Sequence, residues 1–192
     1  MVKEKFYIYL FRHGQTTYNR DGKFTGFQNP GLTKLGIKNA KTVARKLKNK
    51  LFNIAFQTKL LRSKQTLKEV LKFHPECVVI IEDNRMIERD YGKLNGVSHE
   101  NFIKEHSRTA YDLIHRGFSA RPPKGESFAD VEKRVSSFIK DLKIMIKKEK
   151  CNVCISAHGN SIRLFRKIME KSSIKETCEW FIPYDKVYVY TA

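Results

Sequence analysis

Two histidine–glycine pairs stand where apolar runs end. Arg12-His13-Gly14 closes the run at residues 6–11, and Ala157-His158-Gly159-Asn160 follows Val153-Cys154-Ile155-Ser156. A strand that ends in histidine presents an imidazole at the edge of a sheet, and a following glycine lets the backbone turn or approach a ligand without a clash from Cβ. In open α/β sheets, ligands collect at the carboxyl ends of the strands. Arg62 and Glu88 follow the ends of two further candidate strands. Parallel strands would therefore gather Arg12, His13, Arg62, Glu88 and His158 at one edge. That set suits phosphoryl transfer. One neutral imidazole can act as nucleophile and divide a difficult transfer into two easier ones through a phosphohistidine. Arginine forks match phosphoryl oxygens and stay charged. A carboxylic acid can protonate the leaving oxygen and later accept the proton of the incoming group. Fixed cations then do the work that Mg²⁺ does in other phosphoryl transfers, so no metal is expected.

The elements that must hold these groups follow from periodicity. Residues 5–11, 53–57, 78–82, 152–156 and 186–191 read as strands. Between them, Ala40, Val43, Ala44 and Leu47 repeat at helical spacing within residues 33–48, and a second helix begins near Lys59 with Leu60, Leu67 and Leu71 on one side. Residues 102–116 read as one weakly patterned helix. Ser127 and Asp130 mark the start of a long helix with the stripe Phe128, Val131, Val135, Phe138, Leu142 and Met145, and residues 160–170 form another. The Pro- and Gly-bearing residues 121–125 read as a long surface loop. Strands alternating with helices predict an α/β fold: a single-domain, three-layer α/β/α sandwich over residues 1–192 with a mostly parallel central sheet.

Composition narrows the partners. The chain has 38 basic and 20 acidic residues, a formal net charge of +18. Such a charge suits nucleic acid, but Lys34, Lys38, Lys41 and Lys48 on one helix and Lys140, Lys143, Lys147 and Lys148 on another are spread along outer faces. No nucleic-acid module is recognisable. The expected partner is a small phosphorylated molecule drawn by the basic field, not nucleic acid. The apolar run at residues 6–11 falls short of a signal-peptide core of about 7–15 residues and a membrane span of about 20, which predicts a cytoplasmic protein without a membrane partner. Cys151 and Cys154 form a CxxC, but residues three apart on a strand point to opposite faces. Cys77 and Cys178 are isolated, so the second pair that a zinc site wants is missing.

The motifs continue along the chain. Arg12-His13-Gly14-Gln15 with Asn19 is followed by Thr25-Gly26-Phe27, Leu32-Thr33-x-x-Gly36, and Gln57-Thr58-x-Leu60-x-Arg62-x-x-Gln65-Thr66. Glu88-Arg89-Asp90-Tyr91-Gly92-x-Leu94-x-Gly96, Pro122-Pro123-x-Gly125-Glu126-Ser127 and Ala157-His158-Gly159-Asn160-Ser161-x-Arg163 complete the set. In this order and at these spacings, from about residue 6 to residue 190, the chain resembles the histidine phosphatase superfamily, and within it the cofactor-dependent phosphoglycerate mutases.

The resemblance implies interconversion of 3- and 2-phosphoglycerate primed by 2,3-bisphosphoglycerate, with no metal; a phosphatase of the same fold acting on small phosphomonoesters is the alternative. It implies His13 as the phosphorylated nucleophile and Glu88 as the acid and base. Arg12, Arg62 and His158 would surround the transferring group, with Asn19 assisting, and Thr25, Gly26, Tyr91, Gly159 and Asn160 would line the pocket. Where such mutases carry two arginines before Gly-Phe, this chain reads His115-Arg116-Gly117-Phe118, and His99 stands where a lysine is expected. Arg116 would hold the substrate carboxylate and second phosphate, with His99 and His115 adding a pH-dependent cation. Only Lys124 and Gly125 separate Pro-Pro from Glu-Ser, and no tail follows Ala192, so the phosphoenzyme is expected to be more open to water than in longer mutases. The oligomeric state is left open.

Overall fold

Strand β1 (Tyr7–Arg12) shows why the sheet is covered on both faces. Ile8 and Leu10 enter one core with Val131, Val135 and Phe138, while Tyr9 and Phe11 enter another with Val43, Ala44 and Leu67. An unbroken apolar run is buried only between two layers. In this computed structural model, which describes residues 4–192, the other strands are β2 (Ile54–Gln57), β3 (Val79–Glu82), β4 (Val153–Ala157) and β5 (Val187–Thr191). Their order is β3-β2-β4-β1-β5, parallel throughout except for β5, which pairs antiparallel with β1.

Helices follow in chain order as α1 (Thr17–Arg20), α2 (Lys34–Leu47), α3 (Leu61–Leu71), α4 (His99–Glu105), α5 (Arg108–Arg116), α6 (Phe128–Glu149), α7 (Gly159–Glu170) and α8 (Ile174–Glu179). α2 and α3 pack on one face of the sheet, α6 and α7 on the other. The three-layer single-domain architecture is the one expected. Thr33 caps α2 by accepting from the Gly36 N–H, and Ser127 and Asp130 cap α6 reciprocally. Each cap satisfies donors that lack an intrahelical partner. Cys151 joins one core and Cys154 the other, and all four cysteines are buried and free. Among the described residues no helix is long and apolar enough to cross a membrane.

Three details stand out, the first and the last against expectation. Residues 102–116 do not form one helix: Ser107 accepts from the Ala110 N–H and starts α5 afresh after α4 ends. The small hydroxyl competes for backbone donors and favours a cap over helix interior. Strand β3 lies at the sheet edge, with Val79 and Ile80 exposed. Gly14 serves packing and not ligand approach, because a Cβ there would lie 2.1 Å from the carbonyl oxygen of Gly36. At Gly159, by contrast, a Cβ would meet the Arg12 guanidinium carbon at 3.4 Å.

The order of strands places the chemistry. β1 and β4 pair with Arg12 opposite Ala157, so the residues that follow, His13 and His158, are neighbours. The His13 N–H donates to the Ala157 carbonyl at 3.0 Å.

Candidate active site

His13 stands at the end of β1 and is 1% exposed. Its Nδ1 lies 2.8 Å from the Gly14 carbonyl oxygen. A carbonyl only accepts, so Nδ1 carries the proton and Nε2 keeps a free lone pair. Burial, then the charges of Arg62 and Arg12, holds the pKa of this ring well below the ordinary 6.5. The imidazole is therefore neutral at physiological pH. The His158 ring centre is 5.0 Å from that of His13. The Thr58 hydroxyl accepts from the Leu60 N–H at 3.4 Å and lies 2.8 Å from His158 Nε2, so that ring nitrogen is already engaged.

Arginines close around this pair. Arg62, in the first turn of α3 and fully buried, donates to the carbonyls of Gln28 and Gly26 at 2.8 and 2.9 Å. Burial lowers its pKa to about 10, opposed by Glu88. Arg12 donates through Nη1 to the Ile182 carbonyl at 2.8 Å. After these bonds, Arg12 Nε, Arg62 Nε and His158 Nδ1 are buried without a hydrogen-bond partner. An unsatisfied buried donor costs about 1–3 kcal/mol. Two such guanidinium N–H groups and an unpartnered ring nitrogen around one neutral imidazole make a cradle for an oxyanion.

Glu88 approaches from the segment after β3. Its Oε1 accepts from the Arg89 N–H at 2.8 Å and from the Asn160 N–H in the first turn of α7 at 3.1 Å. Oε2 takes no bond from the described residues and is free to handle a proton. Arg134 holds this segment from α6, donating to the carbonyls of Arg85, Ile87 and Glu88 at 2.7, 2.8 and 3.0 Å. The same guanidinium meets both carboxylate oxygens of Glu126 at 3.0 Å.

Beside Arg12 and Glu88 opens a cavity of about 260 Å³; His13, Arg62 and His158 are buried and are not among the residues that line it. Asn19, Thr25, Gly26, Tyr91, Gly159 and Asn160 line it, as do Arg12, Glu88, His99, His115 and Arg116. The Asn19 side-chain oxygen is committed to the Thr16 N–H and hydroxyl at 3.1 and 3.0 Å, so only its amide nitrogen is available to a ligand. The Tyr91 hydroxyl accepts from Asn160 Nδ2 at 3.3 Å. The expectation of a pH-dependent cation at His99 and His115 is corrected. Burial, reinforced by Arg116, Arg163 and His99, pushes His115 down to about 3, and burial lowers His99 as well. Both are neutral rings packed with Phe24 and Tyr111. His13, Glu88 and His158, which the strand ends bring together as expected, place ligand-type atoms within 4.8 Å of one another. The fixed charges of Arg12 and Arg62 oppose a divalent cation there.

The chain matches the family model of the histidine phosphatase superfamily (branch 1) over residues 8–191. It belongs to that superfamily. Within it, the 2,3-bisphosphoglycerate-dependent phosphoglycerate mutase of Nitrobacter winogradskyi is 35% identical over 170 residues, 86% of this chain and 82% of that one. The phosphoglycerate mutase of Schizosaccharomyces pombe is 34% identical over 161 residues, 81% of this chain and 75% of that one. Among solved structures, the alpha-ribazole phosphatase of Shigella flexneri superposes with a TM-score of 0.81 at 21% identity, covering 95% of this chain and 89% of that one. The phosphoglycerate mutase of Bacillus anthracis superposes with a TM-score of 0.74, also at 21% identity, covering 90% and 83%. At that identity the likeness concerns the fold alone.

Several cavity-lining residues of this superfamily member escaped the sequence reading. Arg163 lies within a recognised motif that gave it no role, and it donates to Asn160 Oδ1 at 2.7 Å. Lys23, Phe24 and Tyr184 line the cavity from loops and turns that carry no periodic signal. Arg134 sits mid-helix, where the sequence offers no hint that its fork grips the Glu88 segment.

Proposed function

We propose that the protein is a 2,3-bisphosphoglycerate-dependent phosphoglycerate mutase, interconverting 3- and 2-phosphoglycerate in cytoplasmic glycolysis and gluconeogenesis. The observation that carries this reading is the neutral His13 imidazole ringed by orphaned donors and faced by Glu88. The named mutase relatives at 34–35% identity support it. In the first half-reaction His13 Nε2 attacks phosphorus, the bond to the leaving oxygen breaks, and Glu88 gives that oxygen its proton. In the second, the acceptor hydroxyl passes its proton to Glu88 as its oxygen attacks, and the N–P electron pair returns to Nε2. Arg12, Arg62 and His158 supply donors to the transferring oxygens, so charge is stabilised by groups already in place. Arg116 and Lys23, in the same cavity, would hold the carboxylate or second phosphate. A coupled mutase assay with and without 2,3-bisphosphoglycerate, run beside phosphate release, tests the reading; phosphate release alone would refute it.

A phosphatase is the second reading, favoured by the neutral wall of His99 and His115. Arg116 discriminates, because Arg62 and Arg12, and not Arg116, act on the His13 ring. Arg116→Ala is expected to weaken retention of the bisphosphorylated intermediate by about 10- to 100-fold, the worth of a charged hydrogen bond. The ratio of phosphate release to mutase turnover should then rise, and an unchanged ratio would count against the pocket. Because His115 is neutral far below pH 6, that ratio in the wild type should stay flat from pH 6 to 8 with respect to this group. A second outcome concerns metals: activity should survive EDTA, and a loss restored by a divalent ion would show that the His13, Glu88 and His158 cluster binds one.

A further inference from the structure

Residues 178–184 cross the site and are fastened there by its own arginines. Arg116 donates to the carbonyls of Cys178 and Trp180 at 2.8 and 3.3 Å, Arg163 to that of Trp180 at 2.9 Å, and Arg12 to that of Ile182 at 2.8 Å. This fastening sets the Tyr184 ring beside the nucleophile. Arg12 Cζ lies 4.2 Å from the centre of the ring, and the His13 ring centre lies 6.4 Å from it. Tyr184 also lines the cavity. No step of the transfer uses it.

We propose that Tyr184 is a specificity-determining residue that covers the phosphoryl group on His13 and so sets whether that group passes to a bound hydroxyl or to water. The inference rests on the phosphohistidine of the reading above. In either outcome an oxygen attacks phosphorus, the N–P bond breaks with its electron pair returning to Nε2, and the incoming O–H proton passes to Glu88. The outcomes differ only in how the attacking oxygen arrives. A substrate hydroxyl is held by the residues of the cavity, whereas water can reach phosphorus wherever the ring leaves it uncovered. A guanidinium met by an aromatic face keeps its in-plane donors available. Arg12 can therefore hold the cover in place while its orphaned Nε still faces an oxyanion. Excluding water in this way protects a reactive intermediate from hydrolysis.

The test follows the phosphoenzyme directly. Wild type, Tyr184→Phe, Tyr184→Leu and Tyr184→Ala are loaded with 2,3-bisphosphoglycerate, freed of excess ligand, and monitored by intact mass for decay of the acid-labile adduct. Tyr184→Phe should decay like wild type. Tyr184→Ala should decay about 2- to 30-fold faster, the range expected when a cation–π contact that keeps a cover closed is lost. Phosphate release per mutase turnover should rise in step. Tyr184→Leu keeps bulk without the stack and should decay faster than Tyr184→Phe, which decides the matter even if the alanine form does not fold. Equal decay in wild type and the alanine or leucine forms would overturn the cover alone. No adduct in wild type would overturn the phosphohistidine, and the cover with it.

Discussion

His13→Ala should show no acid-labile phosphoryl adduct after exposure to 2,3-bisphosphoglycerate and should lose roughly 10⁴–10⁶-fold in turnover, the scale on which removing a nucleophile is felt. The size of the effect follows from how little the rest of the site can substitute. His158 is the neighbouring imidazole, but its Nε2 is engaged by the Thr58 hydroxyl and its Nδ1 is fully buried. Its own pKa is held well below 6.5 by burial first and by Arg62 next, and it is not placed as a second nucleophile. His13 instead has its proton pinned to the Gly14 carbonyl and its Nε2 open. Because the folded pKa of His13 is depressed, the neutral form persists as pH falls through 6.5, and adduct formation should not decline between pH 8 and 6 on its account. Intact mass and phosphorus NMR of the wild type and the variant read the result. An acid-resistant ester, or an adduct that persists in His13→Ala, would assign the nucleophile elsewhere.

Glu88→Gln should bind phosphoglycerate with little change and turn it over about 10²- to 10⁴-fold more slowly, the usual worth of general acid–base help. The amide keeps an oxygen that can accept from the Arg89 and Asn160 N–H groups, so the segment stays in place while the transferable proton is lost. Both half-reactions should slow, since the same oxygen gives a proton in one and takes it in the other. Single-turnover phosphorylation of His13 and its discharge to 3-phosphoglycerate measure them separately. Near-normal rates in either would remove Glu88 from that half.

What was legible in the chain was local. The run at residues 6–11 announced a strand buried on both faces, and the Ser127–Asp130 box announced the start of α6. The topology was not legible. That β1 lies against β4, with Ile8 beside Val153, depends on contacts between distant segments that no periodicity encodes. The strand-end rule still foresaw that Arg12, His13, Arg62, Glu88 and His158 would converge, because parallel strands share one carboxyl edge. Protonation was a different matter. His115 looks like a replacement cation in sequence, and only its burial beside Arg116 on α5 and Arg163 on α7 makes it neutral. Ser107 hid a helix break inside a weak pattern for a related reason: a cap and a helix-interior serine look alike until the backbone around them is known.

Arg12, Arg62, Arg116 and Arg163 gather around a cavity to which Glu88 contributes the nearest carboxylate. The folded chain thus concentrates positive charge that the unfolded chain disperses, and such self-repulsion works against the compact state. Burial first, with the charge of neighbouring arginines adding to it, lowers Arg62 and Arg163 to about 10. A dianion that binds the native form and not the unfolded one shifts that balance by mass action, by about 2.7 kcal/mol at a concentration 100 times its Kd. A phosphate ester that binds this site would then be a folding ligand for the chain, and the thermal midpoint should rise with its concentration.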